Sequence, residues 1–341
     1  MSFKRLDAED FVVSADAVQS TAWSTNSPTL TTFFTSSAQK GGSSGNFYLS
    51  VYQTSSDATG AAVQFDIAYG NVLGSGSTSY NTAYPNLSPS STIYGQYRSM
   101  ILEDENSSFI FGDGSNTFTP DDFYVLSIDR ARYKESIFTG TFNLLLSGSG
   151  GNVQLTDNSN DTNVSTFLGS SRVFQIVSGS NGSAVSDAAG GYVANSGSYG
   201  LLFPELGTIL LNPAAVEATT GILTSTGSAV ANGTNNLVMF NALNQAGANS
   251  AFSLNSQETI TSDYVFVRSR NSEFNYSTNP SFITGSTGQV AFTQFINNPQ
   301  SYITTVGMYN DSNELLAVAK LSRPLVKDFT KESLIRVKLD F

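Results

Sequence analysis

The chemistry open to this chain is that of carboxylates, Lys or Tyr, and three acidic stretches stand out. Glu103, Asp104 and Glu105 are consecutive. Asp113, Asp121 and Asp122 sit in a stretch broken by Gly and Pro. Asp157 and Asp161 bracket Asn158-Ser159-Asn160. Two carboxylates facing across a cleft are enough for glycoside hydrolysis. Consecutive residues point apart on a regular backbone, so the first triplet makes no such pair, and chance acidic loops are far commoner than catalytic ones. Asp157 to Asp161 begins like a D-x-S-x-D calcium loop. Thr162 then stands where the loop needs Gly, and Leu168 where the bidentate Glu belongs. The run from Asp113 to Thr117 fails in the same way, so both read as turns closed by Asx hydrogen bonds.

What is missing narrows the chemistry further. There is no cysteine and no histidine. Thiolate zinc sites, disulfides, Cys nucleophiles and Ser-His-Asp triads are therefore excluded. The glycine-rich SGSGGN (147–152) lacks the GK[ST] ending of a phosphate loop and reads as a turn between strands. Tyr80, Tyr84, Tyr94 and Tyr97 form a Tyr-rich segment that could present a glycan-binding face, although core and sheet-face positions are the commoner use of Tyr. No catalytic, cofactor or metal residue is expected.

The elements available to position these groups are mostly strands. NFYLSVYQT (46–54) and AAVQFDIAYG (61–70) alternate apolar and polar residues, and SSFIFGD, DFYVLSID, GTFNLLLSG, RVFQIVSGS, GTILLN and SDYVFVRSR follow. Each is short, rich in β-branched or aromatic residues, and bounded by Gly, Ser, Asn or Asp. ITTVGMY (303–309) and ELLAVAKL (314–321) flank the turn formers NDSN, which predicts a hairpin. The final IRVKLDF alternates Ile335, Val337, Leu339 and Phe341 against charged residues and predicts a last strand at a sheet edge. Helical patterns are few: 7–17, a turn at 129–135, 213–218 and 290–296. The expected fold is mostly β, with antiparallel, sandwich-like sheets, few short helices and two or three subdomains.

Charge divides the chain. The 341 residues carry a net −11, with only 13% charged residues. A net-acidic chain is poorly suited to nucleic acid, so no nucleic-acid partner is expected. Residues 173–267 hold five charges, all acidic, so the middle is either covered by other subunits or kept soluble by hydroxyls and amides. Residues 320–341 reverse the sign, with six basic against three acidic residues. Lys320, Arg323, Lys327, Lys331, Arg336 and Lys338, with the terminal Phe341, are the candidate assembly contacts. The alternative is a strand paired within its own chain, its charges solvated. Boundaries near 140 and 262 follow the changes in charge density: an N-terminal β-rich region (1–140), a charge-poor, possibly inserted β domain (141–262), and a C-terminal β region (263–341) with the hairpin and basic tail. The N-terminus has no apolar h-region of a secretory signal, and no apolar run is long enough to span a membrane, so synthesis in a reducing cytoplasm and no membrane partner are expected.

The string TTVGMYNDSNELLAVAKLSRPLVKDFTKESLIRVKLDF (304–341) resembles the C-terminus of a structural protein family in T-even-type tailed phages of marine cyanobacteria. The resemblance extends to DYVFVRSRNSEFNYSTNPSF (263–282), FINNPQSY (295–302), YGQYRSMILEDENSSFIFG (94–112), SIDRARYKE (127–135) and the opening MSFKRLDAEDFVVSADAV. It is weakest over about 180–260. The hairpin pattern is also similar to an element of tail-fibre and baseplate proteins. The resemblance implies a non-enzymatic virion structural protein, by analogy in the baseplate or tail, with other virion proteins and copies of itself around the tail axis as partners. A head or neck position, or a receptor- or glycan-binding module of the tail, are the competing expectations.

Overall fold

The structure is a computed structural model that describes residues 4–35, 48–76, 88–114, 116–162, 166–223, 234–245, 251–277, 279–285 and 287–340. It is mostly β, with large antiparallel sheets and four short α-helices among the described residues. The chain forms two compact units, Val18–Glu258 and a second made from Met1–Ala17 with Thr259–Phe341. The divide near 262 expected from charge density lies close to the observed one. The divide near 140 falls inside the larger unit, because Asp122–Ile128 and Asn143–Gly148 belong to one sheet.

That sheet runs in the order Thr29–Leu30, Phe252–Ser253, Asn143–Gly148, Gly151–Asp157, Ser171–Ser180, Gly200–Phe203, Thr208–Leu211, Asp122–Ile128, Val63–Asn71, Leu49–Tyr52 and Phe34–Thr35. Neighbours along it pair antiparallel. Its central strands read as continuous apolar runs because both faces are covered. Tyr124, Leu126 and Ile128 point into one core with Ile67, Leu144, Leu155, Ile209 and Leu211. Phe123 and Val125 point to the other face, with Leu201, Phe203 and Leu210. The side-chain period of two thus feeds two separate apolar layers. The SGSGGN stretch is the expected turn, closing the hairpin in which Gly148 faces Gly151.

Helix α1 (Ser90–Leu102) covers the second layer with Ile93, Tyr94 and Ile101, which share one face at near-helical spacing. Helices α2 (Pro213–Thr220) and α3 (Thr234–Asn244) supply Ala215, Val216, Met239, Ala242 and Leu243 to the first layer. Asn212 caps α2 by accepting the Ala214 N–H at 3.2 Å, Pro213 stands at its first turn, and Gly221 closes it at φ 70. This is the helix expected at 213–218.

In the smaller unit, the last strand Ser333–Asp340 pairs antiparallel with Asn255–Ser269, from Ser262↔Asp340 to Ser269↔Ser333. Asn255–Ser269 pairs on its other side with Phe11–Thr21. Residues 7–17 are therefore not a helix: a single 3-10 turn over Ala8–Asp10 leads into the strand. The expected hairpin is present as Ser301–Tyr309 against Leu315–Lys327. Its turn is held by Asn310, whose amide donates to Glu314 Oε2 at 2.8 Å and whose Oδ1 accepts the Glu314 N–H at 2.8 Å. Asn313 takes the left-handed conformation at φ 61 that such a loop needs. Irregularities fall between Met308 and Tyr309 and between Ile303 and Thr305. The latter throws Leu321 to Pro324 out of register. The expected short helix near 290–296 is α4 (Thr293–Asn297), beside an aromatic cluster of Phe282, Phe292 and Phe295.

Candidate assembly surface

The smaller unit spans 100 residues, and among those described it buries three apolar side chains, Val265, Ile335 and Val337. Around them Val267, Ile303, Val306, Met308, Ala319, Leu321 and Leu339 are partly covered. So one face of the hairpin packs toward the small core. The opposite side chains remain in solvent. Of the 26 exposed large apolar residues among those described, 15 lie in this unit, including Phe11, Val12 and Val13 on the first strand and Tyr302, Leu316 and Val318 on the hairpin. Val13 is 69% exposed, Leu316 67% and Val318 57%. A unit of this size needs a larger core to be stable by itself, and apolar side chains gathered on strands are the usual mark of a surface awaiting a partner.

The expected contact residues divide. Lys320, Arg323 and Lys331 are exposed. Arg336 and Lys338 lie on the outward face of the last strand, alternating with buried Ile335 and Val337 as the pattern required. Arg336 sits 5.4 Å from the Tyr264 ring centre, and Lys338 bonds Asp340 at 2.8 Å. The last strand is thus paired within its own chain, its charges facing outward. Phe341 lies outside the described residues.

Lys327 is not a surface contact. It is fully buried, and its Nζ donates to the carbonyls of Asn271 (3.0 Å) and Glu273 and to Asn275 Oδ1 (2.6 Å). It staples the 271–275 loop to the end of the hairpin. Burial lowers the affinity of its amine for a proton, while Glu273 and Asp328 act in the opposite sense. No sequence pattern distinguishes it from its basic neighbours; only its position at the end of a strand, facing inward, does.

The positive tail is also balanced at home. Residues 259–341 hold 8 basic and 7 acidic residues, and with Met1–Ala17 the smaller unit carries 11 acidic and 10 basic. The larger unit carries 16 acidic and 6 basic residues.

The described carboxylates sit in several different surroundings. Glu103 ends α1 in the left-handed conformation at φ 57, and exposed Asp104 accepts from the Asn106 N–H at 3.0 Å and from Ser107 Oγ, so its pKa is lowered. Asp122 accepts the Tyr69 hydroxyl at 2.7 Å, and burial raises its pKa. Asp157 is fully buried and receives the Gly140 N–H on both oxygens and the Ser159 N–H at 3.0 Å. That is the Asx turn expected in place of a calcium loop, and among the described residues no three acidic side chains gather as a metal site. One cleft of about 480 Å³ in the larger unit contains Asp113, Asp161 and Tyr192. Asp161 is engaged by the Ala184 N–H at 2.6 Å, and burial together with Asp113 pushes the Tyr192 hydroxyl pKa up.

The Tyr-rich segment does not form a glycan face over its described part. Tyr94 is buried in the second layer, stacked 4.9 Å from Phe123, and Tyr97 meets the same ring edge-on at 6.2 Å. Tyr80 and Tyr84 lie outside the described residues. No described helix is long and apolar enough to cross a membrane. No family model, no curated protein and no solved structure matches the chain.

Proposed function

We propose that this chain is a non-enzymatic assembly subunit that joins other proteins through its smaller unit. The observation that carries the reading is the exposure of Phe11, Val12, Val13, Tyr302, Leu316 and Val318 on strands of a unit in which three apolar side chains are buried among the described residues. Association is driven chiefly by burial of such surface. The place of assembly comes from the sequence resemblance: the virion of a contractile-tailed cyanophage, in its baseplate or tail, beside other virion proteins and copies of itself. The exposed part of the contact set is Lys320, Arg323, Lys331, Arg336 and Lys338, with Lys327 holding the unit together from inside.

The test is quantitative mass spectrometry of purified virions separated into heads and tails. Low, fixed copy number in the tail fraction is expected. Presence in the head fraction alone would reassign the subunit to the capsid or neck, and absence from the particle would remove the reading.

A further inference from the structure

We infer that the cleft of about 480 Å³ in the larger unit is a saccharide-binding site. The inference is independent of the assembly reading, which concerns the smaller unit. The floor of the cleft is one face of the strand Ser171–Ser180, where Val173, Gln175 and Val177 stand at alternate positions. Thr166 pairs with Val173 on the neighbouring strand and carries that floor to an exposed rim. The walls include Asp113, Asn158, Asp161 and Tyr192.

Hydrogen bonds fix floor and walls to each other. Gln175 Oε1 accepts the Gly112 N–H at 3.0 Å and the Ser198 hydroxyl at 2.7 Å, and the Gln175 N–H donates to Asn158 Oδ1 at 3.0 Å. Asp161 Oδ2 accepts the Ala184 N–H at 2.6 Å, and Asp113 accepts the Tyr192 hydroxyl. A site tied together in this way loses little freedom when a ligand enters.

The lining selects the ligand. It contains no Lys or Arg, so nothing there balances the charge of an anion. Asp113 and Asp161 are both exposed, and each uses only part of its acceptor capacity on the wall, so they call for donors from outside. Two carboxylates are too few for a bare metal ion, and among the described residues no three acidic side chains gather. The other lining groups are Val173, Val177 and the Tyr192 ring, which call for C–H contact. A sugar ring meets both demands, with hydroxyl donors around its edge and C–H groups on its face. The volume lies within the range of about 300–1,000 Å³ usual for small-molecule sites, which also combine apolar lining with a few placed polar groups.

The experiment uses the full chain. Binding is read on an array of immobilised oligosaccharides, and each positive is titrated as the free oligosaccharide by calorimetry. Asp113→Asn and Asp161→Asn keep an acceptor for the Tyr192 hydroxyl and the Ala184 N–H but remove the charge that strengthens a bond from a sugar hydroxyl. Each is expected to weaken binding about tenfold or more. Glu103→Gln, at the end of α1 and outside the cleft, is expected to leave it unchanged. The urea midpoint of Trp23 fluorescence, equal in all four proteins, shows that the larger unit remains folded. An array without a positive overturns the inference. So does a saccharide whose affinity is indifferent to both Asp substitutions, or a chain that binds tetramethylammonium or calcium in this cleft and no saccharide. The virion fractionation, which decides the assembly reading, is untouched by any of these results.

Discussion

Lys327→Met keeps most of the buried stem and removes the ammonium that three acceptors surround. Asn271 O keeps a donor, because the Asn275 side-chain amide bonds it at 2.7 Å. The Glu273 carbonyl and Asn275 Oδ1 lose the donor that holds them. A buried polar group left without its partner costs about 1–3 kcal/mol, so the two together predict a loss of about 2–6 kcal/mol. The loss should be confined to the smaller unit, since all four residues belong to it. Native-state hydrogen exchange read by mass spectrometry separates the units. Amides of Val265, Val267, Ile335 and Val337 are expected to exchange at least about thirtyfold faster, at about 1.4 kcal/mol per tenfold. Those of Phe123 to Ile128 in the larger unit should keep their protection. A change below about threefold in the smaller unit would show that Lys327 is not its staple, and equal losses in both units would show that the two do not open separately.

Acidification should move the two units in opposite directions. Burial raises the pKa values of Asp66, Asp122 and Asp157 above 3.8, so the folded larger unit binds more protons than its unfolded chain just above that pH. Its stability is therefore expected to rise as pH falls toward 3.8, and to be lost again as pH climbs through the raised values. Glu273 and Asp340 are shifted down by their hydrogen bonds, so their contribution to the smaller unit disappears in acid. Trp23, the chain's one Trp, is buried against Phe65 and Phe252 and reports the larger unit alone by fluorescence in urea; a midpoint that falls steadily from pH 6 downward would refute the sign. Asp157→Ala leaves the Gly140 and Ser159 N–H groups unbonded and should cost about 2–3 kcal/mol by the same assay, with no recovery on adding calcium, which a metal site would give back in the wild type as a raised Tm. Gly197→Ala puts a Cβ 2.1 Å from Phe111 O at φ 70 and should lose at least about 2 kcal/mol, whereas Gly95→Ala, in open space within α1, should gain about 0.5–1 kcal/mol; differential scanning calorimetry orders the three proteins.

Much of the β architecture was legible. The hairpin at 303–321 needed only two apolar runs and four turn formers, because a turn is decided by the residues inside it. The last strand needed only its alternation, which the burial of Ile335 and Val337 against Arg336 and Lys338 reproduces. The helical elements were harder to read. Residues 7–17 start with acidic residues and contain Ala, which favours a helix locally, yet the edge of Asn255–Ser269 takes them as a strand. Segment 90–102 is rich in Ser, Thr, Gly and Tyr, poor helix formers all, and becomes α1 because Ile93, Tyr94 and Ile101 gain a sheet face to cover. The same burial turns Tyr94 away from solvent and half-buries Tyr97.

The candidate contacts show the same division. Residue types and their order along the chain determined the absence of thiol and imidazole chemistry, the strand-rich composition and the basic end. Those properties are local, and no folding alters them. Tertiary structure alone decided that Met1–Ala17 joins Thr259–Phe341 in one unit, where Lys4 pairs with Glu273. It also decided that Lys327 points inward while Lys320 and Arg323 point out. Which side of a strand is covered depends on what packs there from distant parts of the chain, and no pattern within twenty residues carries that information.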